Sequence, residues 1–326
     1  MMNITAASEM FSSLRILVIG DAMLDEYLLG SVTRMSPEAP VPLVSINRKD
    51  YRLGGAANVA LNIQSMDASA LLCCCVGDDH AGAEISRLIN ESKITSPEIL
   101  VIRNRISTVK SRVISHGKHL LRFDSELTDD LGFIDEFLYL EKILTLIERE
   151  KPDAVIFEDY NKGALTEKVI SGVISTCRSN NILTAVDPKK KNFFAYQNAD
   201  VFKPNLREVR EALNRNVTTE VPELSAVHEE LKLKLHHRIT IITLGDQGIF
   251  FSDGKQSEVI PAHKRNIADV SGAGDTVITI ATIALASGME LKDAVSFANL
   301  AGGLVCEHAG VVPVTRGMLN KHAASI

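Results

Sequence analysis

Asp269-Val270-Ser271-Gly272-Ala273-Gly274-Asp275-Thr276 runs directly into an apolar stretch, Val277 to Ala286, of helical length. Its glycine-rich turn therefore lies where a helix begins, and the unpaired amides and dipole of a helix start favour an anion. The two glycines let backbone N–H groups come close to a phosphate that a side chain would obstruct. An aspartate beside that anion can accept the proton of an attacking hydroxyl, and phosphoryl transfer asks mainly for positioning and charge stabilisation. The same residues also describe a tight turn with Asp275 capping the helix. No Gly-Lys-Ser/Thr follows, so this is no Walker loop. A three-glycine dinucleotide fingerprint is missing here and at Gly20-Asp21-Ala22-Met23, which argues against a nicotinamide oxidoreductase.

Other polar groups fall at the ends of apolar runs. Lys203-Pro204-Asn205-Leu206-Arg207-Glu208 puts Asn205 and Glu208 three residues apart at a helix start, on one face, a spacing that also suits a reciprocal helix cap. Asp187-Pro188-Lys189 follows a strand end, where open α/β sheets place ligands. Taken alone, Asp25 reads as a loop carboxylate and Asn58 as a helix-cap or surface amide.

The elements that must position these groups alternate. Leu14 to Ile19, ended by Gly20-Asp21, is a short β-branched run that reads as a buried parallel strand. Gly54-Gly55-Ala56-Ala57-Asn58 opens a helical stretch through Met66. A strand, Ala70 to Val76, and a helix, His80 to Glu91, follow. The alternation returns with strand 154–157, helix 166–178, strands 183–186 and 239–243, and closing helices over 274–287 and 291–308. Such alternation predicts an α/β sheet with crossover helices. Two stretches depart from it. Val41 to Asn47 is strand-like behind the proline-studded 36–42 segment, which suits an edge strand. Residues 107–114 and 119–123 flank His116-Gly117-Lys118 as a β-hairpin. These pieces predict a small β lid, formed by approximately 28–53 and 107–124, on a single domain spanning 1–326.

Composition excludes several classes. The chain has 326 residues, 45% hydrophobic and 23% charged, enough for a substantial core. A net charge of -6 argues against an extended nucleic-acid surface. Cys73, Cys74 and Cys75 adjoin in a strand pattern without zinc spacing, and the five cysteines read as small buried hydrophobes in a reducing compartment. No window reaches the length of a membrane helix. Met1 to Ser13 reads as a leader or frayed arm, and the expected location is the cytoplasm.

With these residues in view, the chain resembles the PfkB (ribokinase-like) carbohydrate kinases. The 269–276 segment is similar to that family's C-terminal signature, and Gly54-Gly55-Ala56-Ala57-Asn58-Val59-Ala60 resembles its N-terminal one, in the same order and at a similar separation. The likeness runs from Ile16 to about Thr315. Gly20 to Tyr27, Ser36 to Pro42 and Asp159-Tyr160-Asn161-Lys162-Gly163-Ala164-Leu165 resemble the branch that phosphorylates heptose 7-phosphate to the 1,7-bisphosphate used for the lipopolysaccharide core. Many members of that branch carry a further nucleotidyltransferase with a His-x-Gly-His motif, which this sequence lacks, so the resemblance implies a stand-alone kinase.

The resemblance implies a ribokinase-like three-layer α/β sandwich with a mainly parallel sheet, ATP and Mg2+ as cofactors, a sugar phosphate as substrate, and a homodimer paired through the lid. It implies Asp275 as the base and the Gly272, Ala273 and Gly274 amides as the anion hole. Asp25, Asn58, Asp159 and the Gly54-Gly55 backbone would meet the sugar. Asn205 and Glu208 would position magnesium, with Asp187 on the metal or phosphate side. Lys203, Thr243, Gly245 and Asn299 would border the nucleotide. Arg52, Lys110, Arg112 and Arg122 are the cations available for the substrate phosphate, Lys110 and Arg112 sharing one strand face. Ser271 stands where Thr is common, and Glu158 stands where relatives often carry Ser, a change that bears on the sugar pocket. Another PfkB sugar kinase, of ribokinase or fructokinase type, is the nearest alternative. A catalytically silent regulator would have lost Asp275 or its glycines, and both are present.

Overall fold

The computed structural model describes residues 10–92 and 94–322. Strand β1 (Arg15–Met35) does not stop at Gly20-Asp21 as the sequence pattern predicts. Up to that point it pairs in parallel with β3 (Ser69–Gly77) and β7 (Ala154–Glu158). Beyond it, β1 leaves the main sheet to pair antiparallel with β2 (Pro42–Gly55) and parallel with β5 (Thr108–Ser115). Gly20 makes the exit possible: its φ is +138°, and a Cβ there would lie 2.0 Å from the Glu158 carbonyl oxygen.

The main sheet follows the order β12 (Ser257–Ile260), β11 (Ile249–Ser252), β10 (Ile239–Thr243), β9 (Val201–Phe202), β8 (Leu183–Asp187), β7, β1, β3 and β4 (Thr95–Ile102). Its pairings are parallel except for the antiparallel β10–β11–β12 edge. β7 is buried along its whole length, as expected of a parallel strand covered on both faces. The helices are α1 (Ala56–Ser65), α2 (His80–Glu91), α3 (Phe133–Glu150), α4 (Glu167–Ser179), α5 (Leu206–Leu213), α6 (Val221–Leu235), α7 (Ala273–Ala286), α8 (Leu291–Val305) and α9 (Arg316–Asn320). One apolar core lies between the sheet and α1, α2, α7, α8 and α9, and the other beneath α3 to α6. The alternation of cores across the sheet follows from the alternation of side chains along each strand.

The lid is β2, the outer part of β1, β5 and β6 (Lys118–Ser125). It begins at Ala22, earlier than the sequence suggests, because β1 is continuous into it. β5 and β6 form the expected hairpin around His116 and Gly117, both at positive φ, which matches a two-residue turn to the strand twist. β2 pairs only with β1, so the prolines before it lie in the lead-in to an edge strand, as expected.

Several features depart from the sequence pattern. α3, α6 and β4 escape it altogether. The leader reading fails for its described part, since Phe11 is fully buried with its ring 6.0 Å from that of Phe297; residues 1–9 lie outside the described residues. All five cysteines are free and buried, as expected, and burial pushes the Cys74 thiol up to about 12. No described helix is long and apolar enough to cross a membrane.

Candidate active site

The carboxyl ends of the parallel strands bring Asp21 and Asp25 of β1, Glu158 of β7, Asp187 of β8 and Thr243 of β10 to one edge, facing the start of α7. A cleft of about 1180 Å³ opens there between Asp187, Lys203, Thr243, the Gly272–Asp275 turn and Asn299. Thr243, Gly245, Asn205, Lys203 and Asn299 lie together on the cleft wall, and the Asn299 amide is held by the Pro261 carbonyl at 2.9 Å.

Gly272 caps α7 in the left-handed conformation, φ +80°, and Asp275 follows in the first turn, buried. The Gly274 and Asp275 amides have no acceptor among the described residues, as helix-start geometry requires. The predicted anion hole needs one correction: the Ala273 N–H is already engaged, donating to the Val270 carbonyl at 3.3 Å. Both Asp275 oxygens have donors. Asn58 Nδ2 reaches Oδ2 at 2.8 Å, and the Tyr160 hydroxyl reaches Oδ1 at 2.8 Å. Burial pushes the Asp275 carboxyl above the usual carboxylate range; these two hydrogen bonds pull it back, and the nearby Asp187 charge adds to the rise. Asn58, expected on the sugar, is instead a buried amide that holds this aspartate.

Asp187 is enclosed by two ammonium groups, Lys203 Nζ at 2.8 Å and Lys189 Nζ at 3.1 Å. Burial alone would raise its pKa, but the two lysines outweigh burial and hold it below the ordinary range. Lys189 also reaches Glu208 at 2.8 Å, and so bridges the two carboxylates expected near a metal. Asn205 and Glu208 form the reciprocal cap of α5: Glu208 N–H donates to Asn205 Oδ1 at 2.9 Å, and Asn205 N–H to Glu208 Oε2 at 2.8 Å. Glu158 is different in kind. It is fully buried, neither oxygen has a donor among the described residues, and one of its oxygens lies within 4.8 Å of one oxygen each of Asp187 and Asp275. Burial, reinforced by the Asp187 and Asp275 charges, pushes its carboxyl well above the ordinary range.

Several lid charges are paired. Arg112 and Asp25 form a buried ion pair at 2.5 Å, so the two groups expected on different parts of the substrate neutralise each other. Gly54 is required beneath them, since a Cβ there would lie 2.4 Å from Asp25 Oδ2. Gly55, φ +58°, caps α1. Arg122 is half exposed and forks onto Asp124 at 2.9 and 2.7 Å. Arg52 donates to the Ala309 and Val311 carbonyls at 3.2 and 3.1 Å, which removes it from the cations available for a phosphate. Lys110 has no carboxylate partner among the described residues; its ammonium lies 4.5 Å from the centre of the Tyr160 ring, and burial lowers its pKa.

Asp159, expected on the sugar, is turned into the protein, where it accepts from Tyr196 at 2.7 Å, Asn192 at 3.1 Å and the Asn161 amide at 2.8 Å. The sequence reading passes over its neighbour Tyr160, which faces the cleft. It also passes over Asp21, whose buried carboxylate takes the Tyr160, Lys162 and Ala164 amides at 2.9, 3.0 and 3.2 Å. The only sequence signal for Asp21 is its place at a strand end beside a glycine.

A covered α/β sheet with an anion-binding helix start beside a buried carboxylate defines a small-molecule kinase. The chain belongs to the pfkB family of carbohydrate kinases, whose family model matches residues 13–315, and is an ATP-dependent sugar kinase. The bifunctional protein HldE of Aliarcobacter butzleri is 36% identical over 313 residues, covering 95% of this chain and 64% of that protein. HldE of Helicobacter pylori is 37% identical over 302 residues, 91% of this chain and 64% of that protein. The chain thus spans just under two thirds of the length of these relatives. Phosphofructokinase-2 from Escherichia coli, solved with potassium, superposes with a TM-score of 0.78 at 18% identity, over 96% of this chain and 99% of that one. A putative ribokinase from Agrobacterium tumefaciens gives 0.73 at 19% identity, over 96% and 98%. The fold is ribokinase-like, as the sequence implied.

Proposed function

We propose that this chain transfers the γ-phosphoryl group of ATP to the anomeric hydroxyl of D-glycero-D-manno-heptose 7-phosphate, giving the 1,7-bisphosphate for the lipopolysaccharide core. The observation that carries the chemistry is Asp275, buried at a helix start with an amide and a hydroxyl on its two oxygens. Asp275 takes the hydroxyl proton as the sugar oxygen bonds to phosphorus, and the bond to ADP breaks with its electron pair leaving on ADP. The Gly274 and Asp275 amides and the α7 dipole stabilise the charge on the transferring group. The choice of heptose rests on the HldE relatives, at 36% and 37% identity.

Magnesium fits the donor set, which is all hard oxygen and includes both buried Glu158 oxygens, neither of which has a protein donor among the described residues. Glu158 and Asp187 would hold it, with Asn205 and Glu208 on the same cleft edge as the sequence resemblance implies, and it would offset charge on the ATP phosphates. Lys110, a lid cation without a carboxylate partner among the described residues that lies against the Tyr160 ring, serves the substrate phosphate. The lid exposes Ile46, Leu120, Leu121 and Phe123, the surface through which two copies pair. Light scattering on the purified protein checks the dimer.

The deciding assay is ADP release with magnesium and ATP across free sugars and sugar phosphates. Turnover confined to heptose 7-phosphate supports the assignment, and turnover on a free pentose or hexose alone overturns it.

A further inference from the structure

Tyr160 stands with Asp275 on the cleft wall, the side from which a substrate hydroxyl must approach. Asp275 has two carboxylate oxygens, and each already accepts one hydrogen bond, from Asn58 and from Tyr160. A hydroxyl that gives its proton to Asp275 must first donate to one of them. Asn58 does not yield: it is buried on α1, and the Asn62 side-chain amide donates to its Oδ1 at 3.3 Å. Tyr160 lies on the cleft wall and presents the same chemistry as the substrate, an O–H donor 2.8 Å from the carboxylate.

The surroundings of Tyr160 fix its backbone and leave its ring removable. Asp21 accepts the Tyr160 N–H at 2.9 Å, and the following Asn161 turns the chain at φ +55°. Among the described residues the ring belongs to neither apolar core. It lies against two ammonium groups, Lys110 at 4.5 Å from its centre on the lid side and Lys189 at 5.2 Å on the cleft side. Cation–ring contacts of this kind are worth about 0.5–2 kcal/mol each. A sugar phosphate that brings its own anionic groups to these lysines would compete for the cations and for the aspartate together.

We infer that Tyr160 is a gate, a protein hydroxyl that occupies Asp275 until the sugar hydroxyl replaces it. The gate has a chemical purpose. A water hydrogen-bonded to Asp275 Oδ1 beside bound ATP would be a competent nucleophile: its oxygen would bond to the γ-phosphorus, its proton would pass to Asp275, and ADP would leave with the electron pair of the broken bond. Tyr160 denies water that position. Tyr160 is thus a positioning residue. The inference rests on the kinase reading of Asp275 but not on the choice of sugar.

The test is Tyr160→Phe, which keeps the ring and removes only the hydroxyl. ADP release from magnesium and ATP with no sugar present should rise on the order of tenfold, the weight of one hydrogen bond to a charged group. It should fall back in Tyr160→Phe with Asp275→Asn, and the KM for the sugar phosphate should fall while kcat changes less. Sugar-free hydrolysis that stays at the wild-type rate overturns the gate. So does a rise in sugar KM with unchanged hydrolysis, which would make Tyr160 an ordinary substrate contact. A second readout uses the absence of Trp and the presence of five Tyr in the chain. Saturating heptose 7-phosphate should produce a tyrosine near-ultraviolet difference spectrum in the wild type that Tyr160→Phe lacks; the same spectrum in both proteins also overturns the gate. If no sugar phosphate is turned over, the heptose assignment fails, and the sugar-free assay still decides the gate.

Discussion

Asn58 and Asp275 are 217 positions apart in sequence and share a 2.8 Å hydrogen bond between the first turns of α1 and α7. Each belongs to one of the two segments by which the chain resembles its family. Their contact gives the pairing of those segments a physical reason: one supplies the carboxylate and the other orients it.

Asn58→Ala should lower kcat about 10- to 100-fold with a smaller effect on the KM for ATP, because it unfixes the carboxylate without touching the nucleotide cleft. The Asn58 hydrogen bond lowers the Asp275 pKa, so its loss should move the acidic limb of the kcat profile to higher pH. An unshifted limb with reduced kcat would mean that Asn58 acts only through packing.

Asp275→Asn should keep ATP binding, measured by calorimetry, while turnover falls by about two or more orders of magnitude. In the wild type, activity depends on the ionised form, whose pKa burial raises. Activity should therefore fade on acidification while ordinary exposed carboxylates are still ionised. Near-normal turnover in the variant would remove Asp275 from the mechanism.

Lys203→Met should destabilise the protein by about 3 kcal/mol in urea unfolding, since it takes one of two cations from the buried Asp187 carboxylate. Adding Asp187→Asn should cost less than the sum of the single changes, because the charge left unpaired is then gone. Strict additivity would show that the 2.8 Å contact carries no coupling.

His237 and His228 are buried on either side of Thr240, whose hydroxyl lies 2.5 and 2.8 Å from their rings. Burial, aided by the neighbouring His228, pushes the His237 pKa down to about 3. The unfolded chain binds that proton first as pH falls below about 6.5, so the contribution is complete above this value and is lost progressively between it and about 3. Stability should drop by about 1.4 kcal/mol per pH unit for this histidine. Denaturant unfolding at pH 5 and pH 8 should show a smaller difference for His237→Gln than for the wild type. Equal differences would mean that His237 protonates freely in the folded state.

Much of this was legible in the residues themselves. The short apolar strands, the glycine turn at the start of α7, the capped start of α5 and the His116-Gly117 hairpin are local patterns, set by side-chain period, missing Cβ atoms and positive φ, and the fold reproduces them. α3 was harder to read because Phe133, Ile134, Phe137 and Leu138 are apolar yet exposed in its first turns, which blurs the stripe a core-facing helix should show. β4 carries Pro97 within it, and β9 is only two residues long.

By itself, the sequence determined the strand–helix alternation of the main sheet, the family and the aspartate at the helix start, because each depends on neighbours along the chain. Tertiary structure decided what each charge meets. Arg112 is paired with Asp25, Arg52 with loop carbonyls, Asp159 with Tyr196, and Tyr160 with Asp275. A residue type states that a buried charge or hydroxyl needs a partner. Only the crossing of distant strands and helices determines which partner comes within 3 Å, and so which groups remain for a substrate.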